Sequence, residues 1–168
     1  HTDLLHSRLG IDLCFGSWLT HVLDDFENPS HVAQFGIRST GKSRQHWQQT
    51  FGLKQYWAQE IKEQGIETFC HQVIEHFTAE KIDELYISFD IDALDSSIAS
   101  ATGTPEPKGL SLEDVLIAIA LFSSVMPITG ADLVEVAPLA NPNFSSKEPE
   151  STLLAAKRIS EALLHAMK

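Results

Sequence analysis

Tyr86-Ile-Ser-Phe-Asp-Ile-Asp-Ala-Leu-Asp95 decides how this chain is read. Leu85, Ile87, Phe89 and Ile91 alternate with Tyr86, Ser88, Asp90 and Asp92, and a period of two predicts a β-strand. Alternate side chains of a strand share a face, so Asp90 and Asp92 are expected to point the same way, roughly 6.6 Å apart. A strand this apolar belongs deep in a sheet, where carboxylates are costly unless a cation neutralises them. Two carboxylates at a strand's end, with Asp95 following, therefore ask for a metal ion, and hard divalent ions prefer such oxygen ligands.

Working outward, strands and helices alternate. On the N-terminal side, residues 8–14 read as a short strand or turn, 18–27 as a helix broken at Asn28-Pro-Ser30, and 32–37 as a buried strand. Helices are predicted over 43–50 and 53–64, with Gly65 as a stop, then a short strand over 66–70 and a helix over 71–82. On the C-terminal side, 95–109 is a long breaker-rich loop, of a kind usually kept for function. Ser111 and Asp114 form a capping box, with Leu110 and Val115 as a staple, for a helix running to about Ser124. A strand over 127–136, a second breaker-rich loop over 138–149 and an amphipathic helix from Glu150 to Met167 complete the chain, with Leu153, Leu154, Ile159, Leu163 and Met167 on its apolar face. Such alternation implies one α/β domain over 1–168, a mostly parallel sheet covered by helices on both faces. Ligands of such sheets bind beyond the carboxyl ends of the strands, where Asp90, Asp92 and Glu135 fall.

Composition narrows the function. The 168 residues suit one hydrophobic core, and 43% hydrophobic content marks an ordinary globular protein. A net charge of -11 opposes nucleic-acid binding, which favours basic surfaces. No apolar run approaches the ~20 residues of a membrane span, and no secretory signal is visible. Cys14 and Cys70 fit no disulfide or metal framework and read as buried thiols of a cytoplasmic protein. Trp18, Trp47 and Trp57 read as core or interface residues, Arg38 as a structural ion pair, and His31, His46, His71, His76 and His165 as surface residues.

His1-Thr-Asp3 repeats the spacing of Asp90 and Asp92. Imidazole with several carboxylates suits manganese, zinc or iron, and donors from two segments suggest two ions ~3.5–4 Å apart sharing a hydroxide. Four blocks, His1-Thr-Asp3, Ser88-Phe-Asp-Ile-Asp-Ala-Leu-Asp95, Thr102-Gly-Thr-Pro105 and Asp132-Leu-Val-Glu-Val136, occur in the order found in the ureohydrolases, the arginases and agmatinases. The chain resembles that family along its whole length. The resemblance implies a three-layer α/β/α fold, two Mn2+ ions, and hydrolysis of a guanidino C–N bond with release of urea. It implies that His1, Asp3, Asp90 and Asp92 are metal ligands, with Asp90 bridging. It further implies that Glu135 pairs with the substrate guanidinium, that Thr104 lines the site, and that the protein forms a homotrimer or hexamer.

The chain also departs from the family's pattern. The Gly-Gly-Asp-His block, the aspartate that would precede His1 and the first strands of the sheet are expected upstream of His1, which leaves four of about six ligands here. Phe15 stands where the proton-shuttling histidine is usual, so His21, or less readily His6, is the candidate for that role. Ser96 replaces a usual proline and Ala137 an arginase asparagine. Gly36-Ile-Arg-Ser39 resembles agmatinases more than arginases, whose aspartates hold an α-amino group, and this points to a small cationic guanidino substrate lacking that group. Two other classes compete: a one-metal Asp-x-Asp phosphoryl or glycosyl transferase, which would want a phosphate loop absent here, and a truncated non-catalytic relative.

Overall fold

The computed structural model describes residues 1–138 and 148–167. Most of the expected loop over 138–149 lies outside the described residues. Four strands are described: β1 (Ala33–Ile37), β2 (Lys54–Trp57), β3 (Leu85–Asp90) and β4 (Ile128–Val134). The helices are α1 (Trp18–Val22), α2 (Arg44–Phe51), α3 (Ala58–Gln64), α4 (Ile66–Ala79), α5 (Leu112–Val125) and α6 (Glu148–Ala166).

Both strand pairs are parallel, β1 with β2 and β3 with β4. Parallel neighbours need crossovers, and helices supply them: α2 between β1 and β2, and α5 between β3 and β4. This is the expected α/β architecture with parallel pairing. Among the described residues, no helix is long and apolar enough to cross a membrane.

The main core is helical on one side and strand-derived on the other. Phe69 and Cys70 of α4, Val115 and Ile119 of α5, and Ala155, Ile159 and Leu163 of α6 pack with Ile91 and Leu94. Ile159, Ile91, Leu94 and Cys70 are all at 0% exposure. A smaller cluster of Leu4, Leu19, Leu23, Trp47 and Leu53 anchors the N-terminal segment. The Ser111–Asp114 capping box forms as its spacing predicts and fixes where α5 begins.

Three local expectations are corrected. Residues 66–70 are helical, because Ile66, Phe69, Cys70, Val73 and Phe77 follow a helical repeat and all face inward from α4. The expected helix over 53–64 divides instead. Gly52, left-handed at φ 75°, ends α2, and Lys54–Trp57 then pairs with β1 before α3 begins. On α6 the buried stripe is Thr152, Ala155, Ala156, Ile159 and Leu163, whereas Leu153 and Leu154 are exposed. Over 8–14, where a short strand or a turn was expected, the chain forms the turn, held by an Arg8–Ile11 bridge.

Candidate functional site

β3 ends at Asp90, and its chain then tightens into a 3-10 turn over Ile91–Ala93. The Asp90 carboxylate accepts the Asp92 amide at 2.9 Å and so starts that turn. Asp92 therefore leaves the strand, and the equal-face spacing expected of a straight β-segment does not apply. The turn carries Asp92 inward to 1% exposure.

A carboxylate that deep needs partners, and two of them come from the sequence-derived set. His1 Nδ1 meets Asp92 Oδ2 at 2.6 Å, and the Thr104 hydroxyl donates to the same oxygen at 2.9 Å. Thr104, expected to line the site, thus reaches Asp92 from the 95–109 loop and fixes its carboxylate plane. The Trp18 indole donates to Asp3 Oδ2 at 2.9 Å. Sequence reasoning placed Trp18 in a core or interface; no spacing signal could have linked it to Asp3, fifteen residues away.

Electrostatics binds these groups into one region. Burial and the neighbouring Asp92 charge push the Asp90 carboxyl up to about 7. Burial also raises Asp3, against the opposing Trp18 hydrogen bond. Glu135 is raised by burial and then by the charges of Asp92 and Asp3. Glu135 lies just past β4 with φ 62°, and Asp3 has φ 52°, both left-handed for residues with a side chain. Each costs on the order of 1–3 kcal/mol, a strain that concentrates where side chains must be aimed. A Cβ on Gly103 would lie 3.6 Å from Glu135 Oε2, which places the Thr102–Pro105 block against this glutamate. Among the described residues, no hydrogen-bond donor meets the Glu135 carboxylate.

The other carboxylates nearby have different work. Asp95 accepts from the Ser97 amide and hydroxyl at 3.0 and 2.6 Å and from the Gly109 amide at 3.2 Å, closing its own loop. These hydrogen bonds hold it below the usual carboxylate range and engage both of its oxygens within its own loop. Asp132 is taken by Tyr86 and Ser88 across the strand pair, at 2.9 and 2.8 Å. His21 is exposed and its Nε2 meets the Asp12 carbonyl at 3.0 Å. His6 lies against Phe51, and Phe15 is 56% exposed beneath the Arg8 guanidinium. Cys14, expected to be buried, is half-exposed.

Among the described residues, no three His, Cys, Asp or Glu side chains converge as a ready-made ligand cluster. His1 and Asp92 bond each other instead, Thr104 donates to the same Asp92 oxygen, and Trp18 donates to Asp3. The donor chemistry is nonetheless that of a divalent-cation site: one imidazole with three partly buried carboxylates whose charges oppose each other's ionisation. The residues present fit such an ion in kind.

Arg38 was expected in an ion pair, yet its guanidinium faces backbone carbonyls. Nη2 donates to Asp92, Leu94 and Glu106 at 2.7, 3.0 and 2.7 Å, and Nε to Pro107 at 3.1 Å.

Comparison with known proteins joins these observations. The model of the Arginase family matches residues 1–165. An agmatinase from Bacillus cereus is 32% identical over 169 residues, covering 100% of this chain and 53% of the relative. An arginase from Entamoeba histolytica is 29% identical over 129 residues, 77% of this chain and 43% of the relative. The structure of proclavaminate amidino hydrolase from Streptomyces clavuligerus superposes with a TM-score of 0.81 at 26% identity, over 99% of this chain and 53% of that one. The chain spans about half the length of the curated relatives it matches.

Proposed function

Because the chain belongs to the arginase family, we propose that the protein hydrolyses a guanidino C–N bond, releasing urea and an amine, with manganese held partly by His1, Asp3, Asp90 and Asp92. The observation that carries this reading is the buried Asp92, gripped by His1 and Thr104, with the partly buried Asp3, Asp90 and Glu135 in its negative field. Bound there, manganese would supply hydroxide at neutral pH by lowering the pKa of water. The chain's own residues do the rest. Asp92 and Asp90 are positioned by the 3-10 turn. Glu135, strained and without a donor among the described residues, presents an open carboxylate of the shape that a planar guanidinium pairs with in bidentate fashion. Thr104 holds Asp92 by donating its hydroxyl proton, which leaves that hydroxyl oxygen free to accept from a substrate N–H.

The agmatinase-like lean rests on Gly36-Ile-Arg-Ser39. Directly after β1, Arg38-Ser39-Thr40-Gly41 offers no carboxylate to an α-amino group, and Ser39 is bonded to Glu106 at 3.1 Å. A guanidino substrate lacking the α-amino group of an amino acid fits that surrounding better. We further propose that the protein acts as a homo-oligomer in the cytoplasm, a compartment in keeping with its two free thiols.

Urea release by the full-length protein with added manganese, from agmatine, arginine and guanidino acids, tests the proposal. Release from agmatine in preference to arginine is expected. Silence on all three would leave the chain a non-catalytic relative.

A further inference from the structure

The residue that organises the site without belonging to it is Arg38. A 3-10 turn of three residues ends with carbonyls that have no partner inside the turn, and buried carbonyls need one. Here Asp92 is the middle residue of the turn Ile91–Ala93, and Glu106 and Pro107 of the loop that carries Thr104 return within reach of the same guanidinium. Arg38, immediately after β1, reaches both. Its Nη2 donates to the carbonyls of Asp92 at 2.7 Å, Leu94 at 3.0 Å and Glu106 at 2.7 Å, and its Nε to that of Pro107 at 3.1 Å. Longer contacts of 3.4 Å run from Nη1 to Gly36 and Ala93. One guanidinium thus ties β1, the metal-side turn and the far end of the 95–109 loop together.

We propose that Arg38 is a positioning residue that sets the depth and aim of Asp92, and with it the manganese affinity of the site. The inference rests on the proposed function, since it assigns Asp92 to a metal. Three features make the case. The contacted groups are neutral carbonyls, so the guanidinium's full charge is not cancelled by a directly bonded carboxylate and remains beside the Asp92 backbone. Only arginine presents five N–H donors in a rigid plane, which a lysine ammonium cannot imitate. The same carbonyl row is backed by a close approach: a Cβ on Gly109 would stand 2.5 Å from the Asp95 nitrogen and Leu94 carbonyl carbon, so the two limbs of the loop leave no slack. A clamp across a tight loop transmits its loss to the side chains the loop carries. Ser39, next in sequence, bonds Glu106 and closes the same junction from the other side.

The test uses the full-length protein, stripped of metal, with manganese alone as the probe. The electron paramagnetic resonance signal of free Mn2+ reports binding without reference to activity. Partners that orient metal ligands are typically worth 10–100-fold in affinity, and Arg38→Ala is expected to weaken binding by about that factor. Arg38→Lys, which keeps the charge and loses the fork, is expected to weaken binding several-fold while leaving the circular dichroism spectrum native. If Arg38→Ala does not fold, Arg38→Lys carries the test. A second readout separates aiming from bulk stability: urea release at saturating manganese is expected to recover most of its rate, with the manganese needed for half-activation raised. Arg38→Lys binding manganese within twofold of wild type would overturn the positioning role. Wild-type protein that binds no manganese would overturn the proposed function and this inference with it.

Discussion

The carboxyl end of β3 and the helical core behind it are two parts of one short stretch with opposite physical character. Ile91 and Leu94 are at 0% exposure, their side chains packed in the apolar cluster that α4, α5 and α6 supply. Asp90 and Asp92 are interleaved with them, and burial together with the Asp92 charge pushes the Asp90 carboxyl up to about 7. The turn is therefore anchored by its apolar side chains, while the charges of its acidic residues oppose one another. Such a division teaches that fold and chemistry here are separable by substitution, even between adjacent residues.

The comparison is tested most severely by Ile159→Ala on α6, a fully buried side chain of the core. Removing a buried isoleucine costs about 2–5 kcal/mol, so the urea unfolding midpoint is expected to fall sharply. Below that midpoint the KM for the guanidino substrate should stay at its wild-type value, and a large KM change would show that core and site are not separable. Next in size is Asp92→Asn. It removes a proposed manganese ligand and a buried charge together, so urea release is expected to drop by at least about 100-fold. The metal-free protein should unfold no more easily than wild type, because the lost charge was repelled by Asp90 and Asp3. A metal-free protein clearly weakened by Asp92→Asn would place the residue among the stabilising ones instead.

The same split explains what could be read from the sequence. Periodicity located the β3 strand, the capping box of α5 and the parallel α/β plan, because burial on one face imposes a repeat. It failed over 66–70, where a short apolar run suits a strand or a helix equally and only the downstream Val73 and Phe77 settle the matter. Asp90, Asp92, His1, Asp3, Glu135 and Thr104 were legible as a set through their blocks. Their geometry was not: a strand repeat placed Asp92 on the Asp90 face, and the 3-10 turn that buries it depends on the Asp90 cap and the Arg38 clamp. Asp95, legible as a third carboxylate, proved to be spent on its own loop. Trp18 and Arg38 escaped because their roles are hydrogen bonds to distant residues, which leave no local pattern.

A smaller effect is expected from Glu135→Gln. The amide keeps the shape and loses the charge, and a hydrogen bond to a charged partner is worth about 1.5–3 kcal/mol, so KM should rise about 10–100-fold with manganese affinity little changed. Equal loss of manganese binding would make Glu135 part of the metal shell and redraw the boundary within the site.

The subtlest test comes from the core side, at Cys70. Burial pushes this thiol up to about 12, far above an ordinary cysteine. Between the ordinary thiol range and that value, the unfolded chain loses the proton and the folded chain keeps it. The folded state then binds more protons, so the contribution of Cys70 to stability falls as pH rises. Cys70→Ala removes this dependence along with the packing of the thiol. The stability gap between wild type and Cys70→Ala should accordingly narrow from pH 8 to pH 11 in urea unfolding. Alkylation at pH 8 should mark only Cys14, which is half-exposed and whose hydrogen bond to Ser17 lowers its pKa. A gap that stays constant, or Cys70 that alkylates as fast as Cys14 in the folded protein, would mean that water reaches the core behind the turn. The apolar anchor of Asp90 and Asp92 would then be looser than its zero exposure implies.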